Sequence, residues 1–312
     1  MRSHYIDDGT PRNVLRQYAK VGVERLLVLA GVPLLQRIAR RRDTLVLAYH
    51  NIVPDDILPQ GDESLHLPRS RFVEQLDALG RTHDVVPLAA ILEHSRSSRP
   101  RVAITFDDAY VGALRVGLPE LARRGMPATV FVAPGLLGGV TWWDALARPD
   151  TRGVPAPLRR QALTEFAGNG DAILTSMELH VTRQELSEFA RIANEEDLRL
   201  AARRDRIQFG SHTWTHSNLA LLTPQDVMRE LTTSRDWLAE RFPDAFVSWL
   251  SYPYGAWREP VARSAAAAGY VGALRVDGGW MTRSAMLTPH VLPRLNVPAG
   301  LSLDAFRLRT GC

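Results

Sequence analysis

Three observations predict an α/β fold whose strands are buried on both faces. Apolar, β-branched runs recur along the chain, and amphipathic, helix-like stretches separate them. The chain has 312 residues and is 45% hydrophobic, enough for one large domain with a sizeable core. Single-domain α/β barrels commonly reach about 250 residues, so a barrel and an open sheet both fit.

In chain order, residues 1 to 43 read as a helical N-terminal appendage. Here Arg12, Arg16, Lys20, Arg25, Arg37, Arg40, Arg41 and Arg42 flank the apolar stretch LLVLAGVPLL. That stretch, broken by Pro33, falls short of the about 20 residues that span a bilayer. It also starts late and carries a basic downstream flank, unlike a signal peptide. Two readings stay open: an amphipathic helix packed on the domain, or a basic helix lying on an anionic membrane surface. A cytoplasmic location, or one peripheral to the inner face of the membrane, is expected. The net charge of +4 does not point to nucleic acid, because no run interleaves basic and aromatic residues.

Seven candidate strands follow: TLVLAYH (44 to 50), RVAITFD (101 to 107), ATVFVA (128 to 133), RIQFGS (206 to 211), FVSWLSY (246 to 252), VGALRV (271 to 276) and VLPRLNV (291 to 297). Between them, 69 to 80, 110 to 124, 223 to 241 and 258 to 268 read as helices. The third of these opens on TPQD, a Thr N-cap followed by Pro at the first helical position. Residues 141 to 205 are polar and mostly helical. They read as an insertion after the third strand, too short and charged to hold much core of their own.

The chemistry collects at strand ends. In ITFDDAY an apolar strand runs into Asp107 and Asp108, which cannot both be buried without a cation or a proton between them. FGSHTWTHSNL places His212 and His216 after another strand, four residues apart, the spacing of one helical turn. The only cysteine is Cys312, the last residue, so a metal has to be held by His, Asp or Glu. A His-His-Asp set leaves an open coordination position, as in a catalytic zinc. One carboxylate can then bind the cation while its neighbour acts as a base. In LSYPYGAW a rigid turn can aim a backbone N–H at a developing oxyanion.

Taken in order, TFDDAY, SHTWTH and SYPYG resemble the motifs of the NodB-type polysaccharide deacetylases, carbohydrate esterase family four, from LVLAYHNIVPDD to LPRLNV. The resemblance implies a deformed (β/α) barrel over residues 44 to 312 that removes N-acetyl groups from amino sugars of a glycan. It also implies a divalent metal, commonly zinc. Carried over residue by residue, it makes Asp107 the general base and Asp108, His212 and His216 the metal ligands. The Tyr254 N–H becomes the oxyanion donor. Three departures stand out. Ala109 occupies a position that is usually Gly, which suggests that the turn avoids positive φ. Ser251 occupies the position of an Arg that pins the base, and Arg294 in LPRLNV is the candidate substitute through a bidentate fork. The late Leu-x-His motif is absent. In the branch resembling poly-N-acetylglucosamine deacetylases the general-acid histidine lies early, and AYHNI supplies His50.

Trp142, Trp143, Trp214 and Trp280 fall in expected loops or strand ends. Of these, Trp214 and Trp280, together with Tyr254, are candidates to contact sugar rings. Asp144 either caps a helix or lines the cleft. Two rival functions keep the scaffold: hydrolysis of a small amide or O-acetyl ester, and non-catalytic glycan binding.

Overall fold

The structure, a computed structural model, describes residues 11–93, 97–177 and 186–312. Residues 1 to 10 of the appendage, the side chains of Arg12 and Arg16, and residues 178–185 of the insertion lie outside the described residues.

Seven parallel strands follow the seven apolar runs: β1 (Thr44–Tyr49), β2 (Arg101–Phe106), β3 (Ala128–Val132), β4 (Ile207–Ser211), β5 (Phe246–Ser251), β6 (Gly272–Gly278) and β7 (Leu292–Asn296). Each pairs with its neighbour in sequence, and β1 pairs with both β2 and β7, which closes the sheet into a barrel. The short strand Asp84–Val85 extends the β2 edge outside the ring. The registers of β4 with β5 and of β6 with β7 slip by two residues, so the barrel is deformed. Among the described residues eleven α-helices accompany it: α1 (Pro11–Leu29), α2 (Val32–Ala39), α3 (Arg69–Thr82), α4 (Leu118–Arg123), α5 (Trp142–Ala145), α6 (Ala156–Thr164), α7 (Gly170–Met177), α8 (Glu195–Ala202), α9 (Pro224–Arg241), α10 (Glu259–Ala267) and α11 (Leu303–Thr310).

Strand alternation sorts the side chains into two shells. Leu45, Leu47, Tyr49, Val102, Ile104 and Phe106 join the core shared with helices such as α3. Val46, Ala103, Phe131, Trp249, Leu274 and Leu292 form a second cluster inside the barrel. Two residues further along the same inward faces come Thr105, Ser251 and Arg294, and after another step Asp107. The interior therefore turns from apolar to polar toward the C-terminal ends of the strands, where sites are built in such barrels. Gly210 of β4 is tied to this packing, since a Cβ there would lie 2.5 Å from the Phe131 ring.

The insertion departs from expectation. Trp142, Trp143, Leu146, Val154, Ala162 and Ile173 form a buried cluster, against which Leu65 and Tyr254 of the main domain pack. Two adjacent indoles supply more apolar area than the polar composition suggests, and part of the packing surface is borrowed from the barrel.

Candidate metal centre and catalytic site

Three loops at the C-terminal mouth carry the site. Phe106 lies in register with Tyr49, and the Asp107 N–H donates to Tyr49 O at 2.9 Å, so Asp107 and His50 emerge side by side. His212 follows β4, anchored by its N–H donating to Val132 O at 2.8 Å. The backbone here is unusual. Of the eight non-glycine residues with positive φ among the described residues, five fall in these loops: Asp108, Ala109, Thr213, His216 and Tyr254. Such clustering of left-handed backbone is a mark of functional sites.

The expectation that Ala109 avoids positive φ is overturned, since its φ is 57°. The surrounding backbone over-determines that turn: the Ala193 N–H donates to Ala109 O at 3.0 Å, and the Val111 N–H donates to Arg191 O at 2.9 Å. Alanine reaches the left-handed region at a cost of about 1–2 kcal/mol, which these bonds offset. The helical spacing read for the two histidines is also corrected. Residues 212 to 218 are irregular, and left-handed Thr213 and His216 bring the rings together instead.

Asp108 Oδ1, His212 Nε2 and His216 Nε2 form a triangle with sides of 3.1, 3.2 and 3.5 Å. All three residues are buried, and Asp108 Oδ1 accepts no hydrogen bond. The His212 Nδ1–H donates to Ser251 O at 2.7 Å, which turns the Nε2 lone pair toward the triangle. Burial lowers the pKa of both imidazoles, that of His216 to about 4, so both stay neutral near pH 7. Burial also pushes the Asp108 carboxyl up to about 6, against the pull of His212 and His50. Three converging acceptor atoms without a proton among them fit a divalent cation. Ligand bonds of about 2.0–2.1 Å in a tetrahedron would set them about 3.3 Å apart.

Beside the triangle, Arg294 is fully buried. Its Nη1 and Nη2 donate to Asp107 Oδ1 and Oδ2 at 2.8 and 2.7 Å. The other N–H groups donate to Thr105 Oγ1 (3.2 Å), Ser251 Oγ (2.8 Å) and Arg275 O (2.7 Å), so the guanidinium is saturated. Burial alone would raise the Asp107 carboxyl; the Arg294 charge and fork reverse this and hold it well below the usual carboxylate range. Ser251, where the motif has Arg, accepts from Arg294 through its hydroxyl and orients His212 through its carbonyl.

This geometry can be set beside known proteins. Residues 94–273, more than half of the chain, match the family described as Polysaccharide deacetylase. The chain belongs to that family. YxkH of Bacillus subtilis (strain 168) is 24% identical over 269 residues, 84% of this chain and 74% of YxkH. Two solved structures share the barrel. The Streptococcus pyogenes deacetylase PplD, solved in complex with acetate, has a TM-score of 0.60 at 16% identity, covering 86% of this chain and 98% of PplD. IcaB from Ammonifex degensii has a TM-score of 0.60 at 16% identity, covering 86% of this chain and 97% of IcaB.

In this polysaccharide deacetylase, His50 stands half-buried at the end of β1, close enough to Asp107, Asp108, His212 and Arg294 to interact with their charges. Burial lowers its pKa, and the two carboxylates partly restore it. Tyr254 sits in the Pro253–Gly255 turn with a φ of 58°. Its ring packs edge-on to His216 at 4.6 Å, and its hydroxyl donates to Gly168 O at 2.9 Å. Trp214 turns toward helix α9, edge-on to Trp237 at 6.5 Å.

Trp280 does not reach the deacetylase site. Thr44 and Met281 exchange backbone hydrogen bonds of 3.1 and 2.8 Å, so the loop after β6 folds back to the start of β1, about 20 Å from its catalytic end. There the Trp280 Nε1–H donates to Arg309 O at 3.0 Å and the ring packs on His83. Trp143 lies where Trp280 was expected to act, its ring 4.9 Å from His216.

Two supports complete the site: Glu230, which the sequence did not single out, and Asp144, whose role the sequence left open. Glu230 of α9 accepts from the Trp214 and Thr215 N–H groups at 2.9 and 2.8 Å and from Thr215 Oγ1 at 2.7 Å, which fixes the loop between the two histidines. Asp144 is a fully buried hub. It meets His66 Nε2 at 3.0 Å and accepts from Tyr110 Oη (2.5 Å), Thr141 Oγ1 (2.7 Å) and the Asp62 N–H (2.9 Å). The Trp143 Nε1–H donates to Tyr110 Oη at 2.9 Å, so this hub holds the indole against His216. The only sequence signal for either was an acidic residue in an apolar setting, as in WWDAL.

Proposed function

We propose that the protein is a metal-dependent N-deacetylase that releases acetate from N-acetylated amino sugars of a glycan. The observation that supports this most is the bidentate Arg294–Asp107 pair beside the Asp108–His212–His216 triangle. It sets an ionised base next to a cation site. A divalent cation held by the triangle, zinc by the chemistry of its donors, supplies Lewis acidity that polarises the acetamide carbonyl and makes water acidic.

The chain's own groups do the rest. Asp107, kept ionised by Arg294, takes the proton of the attacking water. The Tyr254 N–H donates to the oxygen that becomes negative as the carbonyl carbon turns tetrahedral. His50, on the neighbouring strand end, delivers a proton to the departing amine. Water adds its oxygen to the acetyl carbon, the C–N bond breaks, and acetate and a free amino sugar leave. Trp143 and Tyr254 pack on His216 and help to shield the centre from bulk water.

A second reading, a small amide or O-acetyl ester as substrate, draws on that same closure. The three ligand side chains are only 2–5% exposed, and a closed site favours a compact substrate. Acetate release from N-acetylglucosamine, its oligomers and a small aryl acetate separates the two. The first reading predicts turnover of the N-acetyl sugars rising with chain length. Turnover of the ester alone would sink it.

A further inference from the structure

Exposed apolar surface concentrates on the N-terminal hairpin. Fourteen large apolar side chains are exposed among the described residues, and nine of them lie on α1 and α2. Leu26, Leu29 and Leu35 are 67%, 70% and 64% exposed. On α1, Tyr18, Leu26 and Leu29 fall along one side of the helix; on α2, Leu34, Leu35 and Ile38 do the same.

Polar contacts help to tie the hairpin to the domain. Ser302 Oγ donates to Glu24 Oε2 at 2.7 Å, Arg25 pairs with Asp304 at 3.6 Å, and Arg37 Nη1 donates to Gly311 O at 3.4 Å. Of α2, only Pro33 is buried. A helix on a globular domain ordinarily turns its apolar stripe to the core. This hairpin points much of it outward, and a patch of that kind marks an interaction site.

Charge identifies the partner. Residues 1 to 43 hold nine basic and four acidic residues, a net charge of +5, so the remaining 269 residues carry −1 of the chain's +4. Of the two acids in the described part of this segment, Glu24 is held by Ser302 and Asp43 by Arg40, the latter at 3.3 Å. Arg41 and Arg42 are exposed at the end of α2. A symmetric contact between two copies would set this positive surface against itself. No helix among the described residues is long and apolar enough to cross a membrane.

We infer that the α1–α2 hairpin is an interfacial anchor for an anionic lipid bilayer. Its leucines and valines enter the acyl boundary, and Arg41 and Arg42 lie against headgroup phosphates. The inference is independent of the reaction catalysed.

The test is co-sedimentation of the full chain with vesicles of phosphatidylcholine alone or mixed with phosphatidylglycerol, at low and high salt. Two double variants accompany it, Leu26→Glu/Leu35→Glu and Arg41→Gln/Arg42→Gln. All four side chains are exposed, so the fold is retained, which a circular-dichroism melt checks. The protein is expected to bind the anionic vesicles and to be released by salt. The leucine variant loses binding, and the arginine variant weakens it about tenfold or more. Absence of binding to anionic vesicles, or binding unchanged in both variants, overturns the anchor. A vesicle-independent dimer that the leucine variant dissolves overturns it too, in favour of a second copy as occupant.

Discussion

In the proposed reaction, the Asp107–Arg294 pair is the decisive feature at the scale of single residues. Burial would raise the Asp107 carboxyl, and Arg294 overrides burial, so the folded pKa lies below the unfolded one. Asp107 is then ionised even in acid solution. In Arg294→Lys the charge stays but the bidentate fork is lost. The carboxyl pKa climbs, and the acid limb of kcat/KM moves to higher pH; a limb that stays in place would show that Arg294 does not tune the base. Asp107→Asn is expected to keep the metal and to lose roughly 10²- to 10⁴-fold in kcat. Near-normal turnover by that variant would remove Asp107 from the base role. Two adjacent carboxylates at the end of an apolar strand, and two histidines after another, were legible in the sequence because burial of such groups demands compensation. Trp280 was misjudged because a strand-end position says nothing about which end of the barrel the following loop returns to.

The elements carry a second set of consequences. All seven strands were readable, to within a residue or two for most, because strands buried on both faces leave uninterrupted apolar runs. The helix read over 110 to 124 is present over 111 to 123, but it is not uniform: a wider-turn segment at 113 to 117 precedes the regular α-helix Leu118–Arg123. Apolar periodicity does not distinguish such a bulge from a plain helix. The histidine loop owes its shape to Glu230, sixteen residues from Trp214 and on another element. Spacing within the motif could not reveal this. Glu230→Ala frees two backbone N–H groups, and metal affinity should fall about 10- to 100-fold in a chelator competition, with Asp108, His212 and His216 intact. Unchanged affinity would mean that the left-handed turns alone set the loop. In the same way Asp144→Ala leaves His66 and Tyr110 without their shared partner, at a cost of about 3–5 kcal/mol on denaturant unfolding.

At the scale of the whole molecule, two poles of the barrel behave differently with pH. His83 is buried at the N-terminal pole, and burial lowers its pKa to about 4, below the unfolded value near 6.5. Above about pH 6.5 it is neutral in both states and costs nothing. As pH falls from there toward 4 the unfolded chain binds a proton that the folded chain refuses, and stability declines. His83→Gln should therefore flatten the stability loss over that window; parallel curves for the two proteins would exclude His83 as its source. At the other pole, the proposed reaction depends on the cation instead. The decisive test of metal-dependent deacetylation is acetate release from N-acetylglucosamine oligomers by zinc-loaded protein, by the same protein after chelation, and by zinc-loaded Asp107→Asn. Chelation is expected to abolish release and zinc to restore it, with the variant binding zinc but nearly inactive. Release that survives chelation, or none from protein shown to hold its metal, would contradict metal-dependent deacetylation.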